Sequence, residues 1–218
     1  MADVSRETSP VIEPEPTVAA EIFGGRIDLA RRFTAALGAH GEERGLIGPL
    51  EPARLWTRHI LNSAVAAPLF SGRVADVGSG AGLPGLVLAI ARPDAEFTLI
   101  EPMERRVTWL REQVTALGLE NVTVVRARAE EWREGPVFDA VTARAVSALR
   151  TLVPLTAPLV RDGGELNLLK GAGAPGEIEA AQNQLRKHSV TDVRVEMVGA
   201  ELLDEPTRVV RGTVRARA

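Results

Sequence analysis

Phe23, Ile27, Ala30, Phe33 and Leu37 recur at helical spacing, which predicts one helix from about Thr17 to Ala39. Glycines at 38, 41, 45 and 48 then interrupt the pattern. Pro52 suits the first turn of a second helix, whose apolar side carries Leu55, Ile60, Ala64 and Ala67. From Arg73 the rhythm changes, and short β-type runs alternate with helical stretches. Strands are expected at Arg73–Val77, Phe97–Ile100, Val122–Arg126, Phe138–Thr142, Glu165–Lys170, Val193–Val198 and Arg208–Val214. Helices are expected at Gly85–Ala91 and at Glu104–Leu117, the latter stopped by Gly118. This alternation implies an α/β fold: a doubly wound, mostly parallel, seven-stranded sheet with helices on both faces. The last two runs lack a convincing helix between them and suit an antiparallel pair at one edge. The chain is thus expected to comprise an N-terminal helical cap over residues 17–70 and a core over 71–218. Residues 1–16, dominated by proline and glutamate, read as a disordered acidic tail.

Composition removes several chemistries. The 218 residues contain no cysteine, so disulfides, thiolate metal sites and covalent cysteine catalysis are excluded. The three histidines, His40, His59 and His188, have no ligand spacing, and no metal site is expected. No apolar run has the length of a membrane span, and the start has neither a basic region nor an apolar one. A cytoplasmic protein that does not engage membranes is expected. The formal net charge of −3 does not advertise a nucleic-acid binder, but residues 1–21 carry −4 of it. The remainder is near neutral, with local arginine groups such as Arg105 and Arg106, or Arg126 and Arg128.

The first predicted strand runs straight into Gly78-Ser79-Gly80-Ala81-Gly82-Leu83-Pro84-Gly85. Glycines let the backbone turn sharply and approach a ligand, and the helix that follows offers free N–H groups. Gly80, Gly82 and Gly85 fit the G-x-G-x-x-G dinucleotide pattern, with Glu101 at a suitable distance to bind a ribose diol. The same stretch also reads Asp76-x-Gly78-x-Gly80-x-Gly82, the form typical of class I methyltransferases. A pyrophosphate would be repelled by Asp76, whereas the ammonium of an amino-acid tail needs such a countercharge. This favours S-adenosylmethionine over a nicotinamide cofactor. Ala129 and Glu130 follow the third strand, where an adenine would lie.

Absences narrow the transfer. Without cysteine, the covalent route to carbon-5 of a pyrimidine is closed. The segment after strand four, Thr142-Ala143-Arg144-Ala145-Val146, lacks the Pro-Pro-aromatic loop that grips an exocyclic amine. Both lysines come late, at 170 and 187, which disfavours a Lys-Asp-Lys-Glu ribose-hydroxyl site. An acceptor that carries no proton to remove, such as guanine N7, remains favoured. A nicotinamide-dependent oxidoreductase, a methyltransferase for a small molecule or protein, and a non-catalytic cofactor sensor stay open as alternatives.

Asp76-Val-Gly-Ser-Gly-Ala-Gly-Leu-Pro-Gly85, Arg58-His-Ile-Leu61, Arg144 within Ala-Arg-Ala, and Leu169-Lys-Gly171 together resemble the small-subunit (16S) rRNA guanine-N7 methyltransferase family, also called glucose-inhibited division protein B. The resemblance covers about Ile22 to Val214. One departure is Asn62, where an aspartate is expected, so no acid role is assigned there. The resemblance implies a Rossmann-like class I methyltransferase fold and N7 methylation of one guanosine in the decoding-site loop of 16S rRNA, a modification linked to streptomycin response. It implies cofactor contacts at Gly78, Leu83, Ala129, Glu130 and Arg144, to which the residue reading adds Gly80 and Glu101. Arg144 is also a candidate for an RNA phosphate, and Lys170 for an RNA contact. The implied partner is 16S rRNA in the small subunit or its assembly intermediate, met by a monomer.

Overall fold

In the computed structural model of the chain, the described residues are 12–132 and 137–215. Two helices, Val18–Phe23 (α1) and Ile27–His40 (α2), form in place of the single helix predicted from Thr17 to Ala39. The break falls at Gly24, whose φ of 51° is left-handed and which opens a 3-10 turn, Gly24–Arg26. Two adjacent glycines make this the point of weakest helix propensity in the segment. The predicted second helix is also broken up. A 3-10 turn at Pro52–Arg54 leads into a π-helical segment, Trp56–Leu61, and a short α-helical turn, Asn62–Ala64 (α3). Leu55 and Ile60, both fully buried, are five residues apart, a step that wider π-type winding accommodates on one side.

Residues 12–16, assigned by composition to a disordered tail, are packed on this cap instead. Ile12 lies against the core, the Glu13 N–H donates to the Pro52 carbonyl at 2.9 Å, and Glu15 pairs with Arg31 at 2.7 Å. One half-buried apolar side chain and two partnered acids offset the entropy of ordering five residues. The rest of the expected tail, residues 1–11, lies outside the described residues.

The remaining elements are, in chain order, Arg73–Val77 (β1), Gly85–Ala91 (α4), Glu96–Ile100 (β2), Glu104–Leu117 (α5), Val122–Val125 (β3), Phe138–Arg144 (β4), Leu149–Thr156 (α6), Val160–Lys170 (β5), Ala174–Lys187 (α7), Val190–Val198 (β6) and Thr207–Val214 (β7). The seven strands form one sheet in the order β3-β2-β1-β4-β5-β7-β6. The first five are parallel, and β7 runs antiparallel to both β5 and β6, giving the expected edge pair. Strand β4 reaches two residues past its predicted end, and that extension carries Arg144 to the carboxyl edge of the sheet. Helices α6 and α7 were not predicted. Helix α6 buries Leu149, Leu152, Val153 and Thr156 at helical spacing, but Pro154 inside it is a helix breaker that masks the pattern. Helix α7 buries only Ala174, Ala181 and Leu185, a thin apolar stripe.

The sheet is covered on both faces, so β1 is buried at every residue but its first. One face packs Val74 and Phe97 against the cap, α4 and α5. The other packs Val77, Val141 and Leu168 against α6 and α7. Strand order reverses between β1 and β4, and the crevice at the carboxyl ends of those two strands is where open α/β sheets hold ligands.

Candidate cofactor and acceptor site

The chain leaves β1 into that crevice. Gly78, Gly80 and Gly82 have φ of 71°, 55° and 94°, left-handed values that favour glycine, so the loop doubles back tightly before α4. The loop is tied from three sides. The Gly78 N–H donates to the Ile100 carbonyl at 2.8 Å, joining it to the end of β2. The Trp109 indole N–H, from α5, donates to the Ala81 carbonyl at 3.0 Å. Beneath it, the Asp76 carboxylate accepts the Gly85 N–H at 3.0 Å through Oδ2.

Asp76 is fully buried, and its second oxygen, Oδ1, has no partner. Thr142 Oγ1, also buried, has none either, and Asp76 and Thr142 are register partners across β1 and β4. Burial pushes the Asp76 carboxyl up to about 7, against the hydrogen bonds from the loop and the charge of Arg144. An unsatisfied carboxylate oxygen and an unsatisfied hydroxyl side by side at the switch point fit a ligand bearing an ammonium. The carboxylate expected to serve as countercharge thus lies beneath the loop rather than on an open surface.

Glu101, at the end of β2, is buried and bridges two backbone segments. Its Oε2 accepts the Gly80 N–H at 2.9 Å and its Oε1 accepts the Met103 N–H at 2.9 Å. Each carboxylate oxygen keeps a further acceptor site, which suits a vicinal diol. Leu83 is buried in the glycine loop. Ala129, nearly buried, opens a 3-10 turn after β3, and Glu130 lies exposed on the same turn. The carboxyl edges of β1, β2, β3 and β4 therefore carry Gly78, Gly80, Leu83, Glu101, Ala129, Glu130 and Arg144.

Arg144, half-buried at the end of β4, points to the cap. Its Nη2 donates to His59 Nδ1 at 2.8 Å, and its Nη1 donates to the Arg58 carbonyl at 3.4 Å. Burial lowers its guanidinium to about 10, and the carboxylate of Asp76 acts in the other direction. Ala145, with φ of 55°, then turns the chain so that Val146 lies 39% exposed above Gly78. This lip is braced from below. Lys170 Nζ donates to the Ser147 carbonyl at 2.7 Å and pairs with Glu177 at 2.8 Å, while Glu177 also accepts the Leu149 N–H. With 8% of its side chain exposed, Lys170 is neither solvated nor directed outward at this position. Trp109, Thr142 and Glu51 escaped the sequence reading, because each matters through a contact distant in the chain. Asn62 uses its backbone carbonyl, which accepts from Thr207 Oγ1 at 2.7 Å.

Comparison with known proteins shows the fold and the family. The fold is shared with the tRNA (m1A58) methyltransferase TrmI from Aquifex aeolicus, at a TM-score of 0.56 and 14% identity over 72% of this chain and 68% of that one. It is shared equally with M. jannaschii TYW2 in complex with AdoMet, at a TM-score of 0.56 and 18% identity over 74% and 78%. The small-subunit rRNA methyltransferase G of Leifsonia xyli subsp. xyli is 63% identical over 94% of this chain and 98% of its own. That of Clavibacter michiganensis subsp. michiganensis is 62% identical over 94% and 97%. A family model described as rRNA small subunit methyltransferase G matches residues 26–206, and the chain belongs to that family.

Proposed function

We propose that this protein transfers a methyl group from S-adenosylmethionine to N7 of one guanosine in the decoding-site loop of 16S rRNA. When bound, the cofactor supplies a methyl carbon made electrophilic by its sulfonium. Asp76 and Thr142 receive the ammonium end, Glu101 takes the ribose diol, and Leu83 and Ala129, with Glu130, line the adenine side. Gly78 and Gly80 let the backbone approach closely, and Arg144 meets a carboxylate or an RNA phosphate. The observation that carries the acceptor assignment is the commitment of the acids and bases at the crevice. Glu101 accepts two backbone N–H groups, Asp76 lies beneath the loop, and His59 is bonded at both ring nitrogens. Guanine N7 needs no base, because its lone pair lies in the ring plane and no proton leaves. With the cofactor held by these residues, the protein would need only to set N7 in line with the methyl carbon, and no side chain would have to take a proton. Alignment is then the main contribution of the protein, and well-oriented reactions reach effective molarities on the order of 10⁵ M or more. The acceptor base must be unstacked or looped out to reach the crevice, which costs about a few kcal/mol. Lys170 serves the acceptor side by holding the lip at Ser147.

Methyl-labelled S-adenosylmethionine incubated with 30S subunits from a strain lacking the gene tests this reading. Labelled 7-methylguanosine in digested 16S rRNA is the expected result. Label in another nucleotide, or in no RNA despite cofactor binding, overturns the acceptor assignment. Parallel reactions with deproteinised 16S rRNA establish whether the protein needs the assembled subunit.

A further inference from the structure

Three side chains from three elements form a hydrogen-bonded line at the mouth of the crevice. Glu51 lies in the turn before Pro52–Arg54, His59 on the π-helical segment, and Arg144 at the end of β4. His59 Nε2 is 2.5 Å from Glu51 Oε2, and Arg144 Nη2 is 2.8 Å from His59 Nδ1. A guanidinium has donors only, so His59 Nδ1 is the acceptor and carries no proton. The single ring proton therefore sits on Nε2 and is donated to Glu51, which fixes both tautomer and ring orientation. Burial and the charges of Arg144 and Arg58 favour this neutral ring, with Glu51 opposing.

The arrangement has an electrostatic consequence. Among the described residues no carboxylate lies within ion-pair distance of Arg144, whose nearby partners are a neutral imidazole and the Arg58 backbone carbonyl. A carboxylate in the place of His59 would orient the guanidinium and also neutralise it. A neutral ring orients it and leaves the charge available, and the acid that fixes the ring stands one side chain further back. Glu51 is itself held by Arg54 at 2.5 Å and approached by Arg58 at 3.8 Å. We infer that Glu51 and His59 are positioning residues that aim the Arg144 guanidinium at an anionic group, a carboxylate or phosphate, entering the crevice. This rests on the reading of the crevice as the methyl-transfer site.

The line makes activity sensitive to acid. The charged groups facing the His59 ring are Glu51 from the turn, Arg58 from its own segment and Arg144 from β4. Protonation puts a donor on Nδ1 against a guanidinium, so Arg144 loses its anchor as the ring charges below the ordinary histidine range.

The experiment combines a ring-nitrogen NMR measurement with methylation of 30S subunits by wild type, His59→Asn, His59→Leu and Glu51→Gln. In the wild-type protein without added ligand, the His59 ring is expected to be Nε2-protonated at pH 7, with its Nδ1 resonance shifting in Arg144→Met. An imidazolium or an Nδ1–H ring overturns the proposal, and this readout stands whether or not 16S rRNA is the substrate. His59→Leu, folded by circular dichroism, is expected to lose roughly tenfold to a hundredfold in kcat/KM, the worth of one charge-assisted hydrogen bond. Asparagine offers an amide oxygen near the Nδ1 position, so His59→Asn is expected to regain most of that loss. It should also shed the ring's share of the acid limb, while any limb from Asp76 persists in both. Glu51→Gln should retain the fold and the Nε2–H tautomer, because Arg144 still faces Nδ1, but hold the ring less firmly and lose part of kcat/KM. Wild-type activity and pH profile in His59→Leu, or an Asn variant no better than Leu, overturn it.

Discussion

The Glu101 carboxylate accepts the backbone N–H of Gly80 across a gap of 21 residues, at 2.9 Å, and so fastens the tip of the glycine loop to the end of β2. Its other oxygen is occupied by the Met103 N–H. Replacement by glutamine turns one acceptor into a donor facing a backbone donor. Glu101→Gln is expected to weaken S-adenosylmethionine binding by roughly tenfold to a hundredfold, matching the loss of a hydrogen bond to a charged group. Titration calorimetry reads this directly. Wild-type affinity in the variant would remove Glu101 from the site.

Trp109 holds the same loop from the other side. It is 1% exposed, its indole N–H donates to the Ala81 carbonyl, and the Arg44 guanidinium lies 5.3 Å from its ring. Trp109→Phe keeps most of the apolar volume but leaves a loop carbonyl without its donor. A stability loss of about 1–3 kcal/mol in urea unfolding is expected, together with weaker cofactor binding. A variant that loses stability alone would assign Trp109 to packing and not to the loop.

How much of this was legible in the chain depends on the range of each interaction. The glycine loop, its following helix and Glu101 are readable because turn chemistry and the strand–helix rhythm are local properties. Gly24 shows the limit even of local reading: the apolar positions on either side keep helical spacing, and only the glycine pair marks the break. The link between His59 and Arg144 joins residues 85 apart, and no periodicity encodes it. Lys170 is a similar case. As a strand-end lysine it reads as solvated or RNA-facing, but Glu177, on a helix with little apolar signature, and the Ser147 carbonyl draw it inward. Residues 12–16 show that a composition typical of disorder does not outweigh an isoleucine packed against the core and two acids with distant partners.

Gly85 bears on packing rather than on turning. A Cβ there would lie 2.4 Å from Leu99 Cδ2 and 2.5 Å from Asp76 Oδ2. Alanine must therefore displace the carboxylate that anchors the loop. Gly85→Ala is expected to cost about 1–3 kcal/mol from overpacking and to weaken cofactor binding further by moving Asp76. Gly173→Ala is the matched control, since nothing lies within 4 Å of its added carbon. Equal effects of the two substitutions on cofactor affinity would show that the Asp76–Gly85 contact does not shape the site.

Asp76 links the site to pH through stability. Its carboxyl is raised from 3.8 to about 7, chiefly by burial. The folded protein therefore binds this proton more tightly than the unfolded chain does. Stability from this group is fully present below 3.8 and is lost as pH rises through about 7. Other groups titrate nearby, including His59, whose lowered pKa acts with the opposite sign, so the comparison must be made against Asp76→Asn. Between pH 6 and 8 the ligand-free wild type is expected to lose stability relative to that variant, by up to about 1.4 kcal/mol per pH unit for one proton. In the proposed binding mode, saturating S-adenosylmethionine would set its ammonium against the unpartnered Oδ1 and favour the ionised form, so the wild-type loss is expected to shrink with cofactor present. Cofactor binding should accordingly release a proton near pH 6.5, visible as a dependence of the calorimetric heat on the ionisation enthalpy of the buffer. Buffer-independent heats, with equal pH slopes for wild type and Asp76→Asn, would mean that Asp76 stays protonated beneath the loop and contributes shape but no charge.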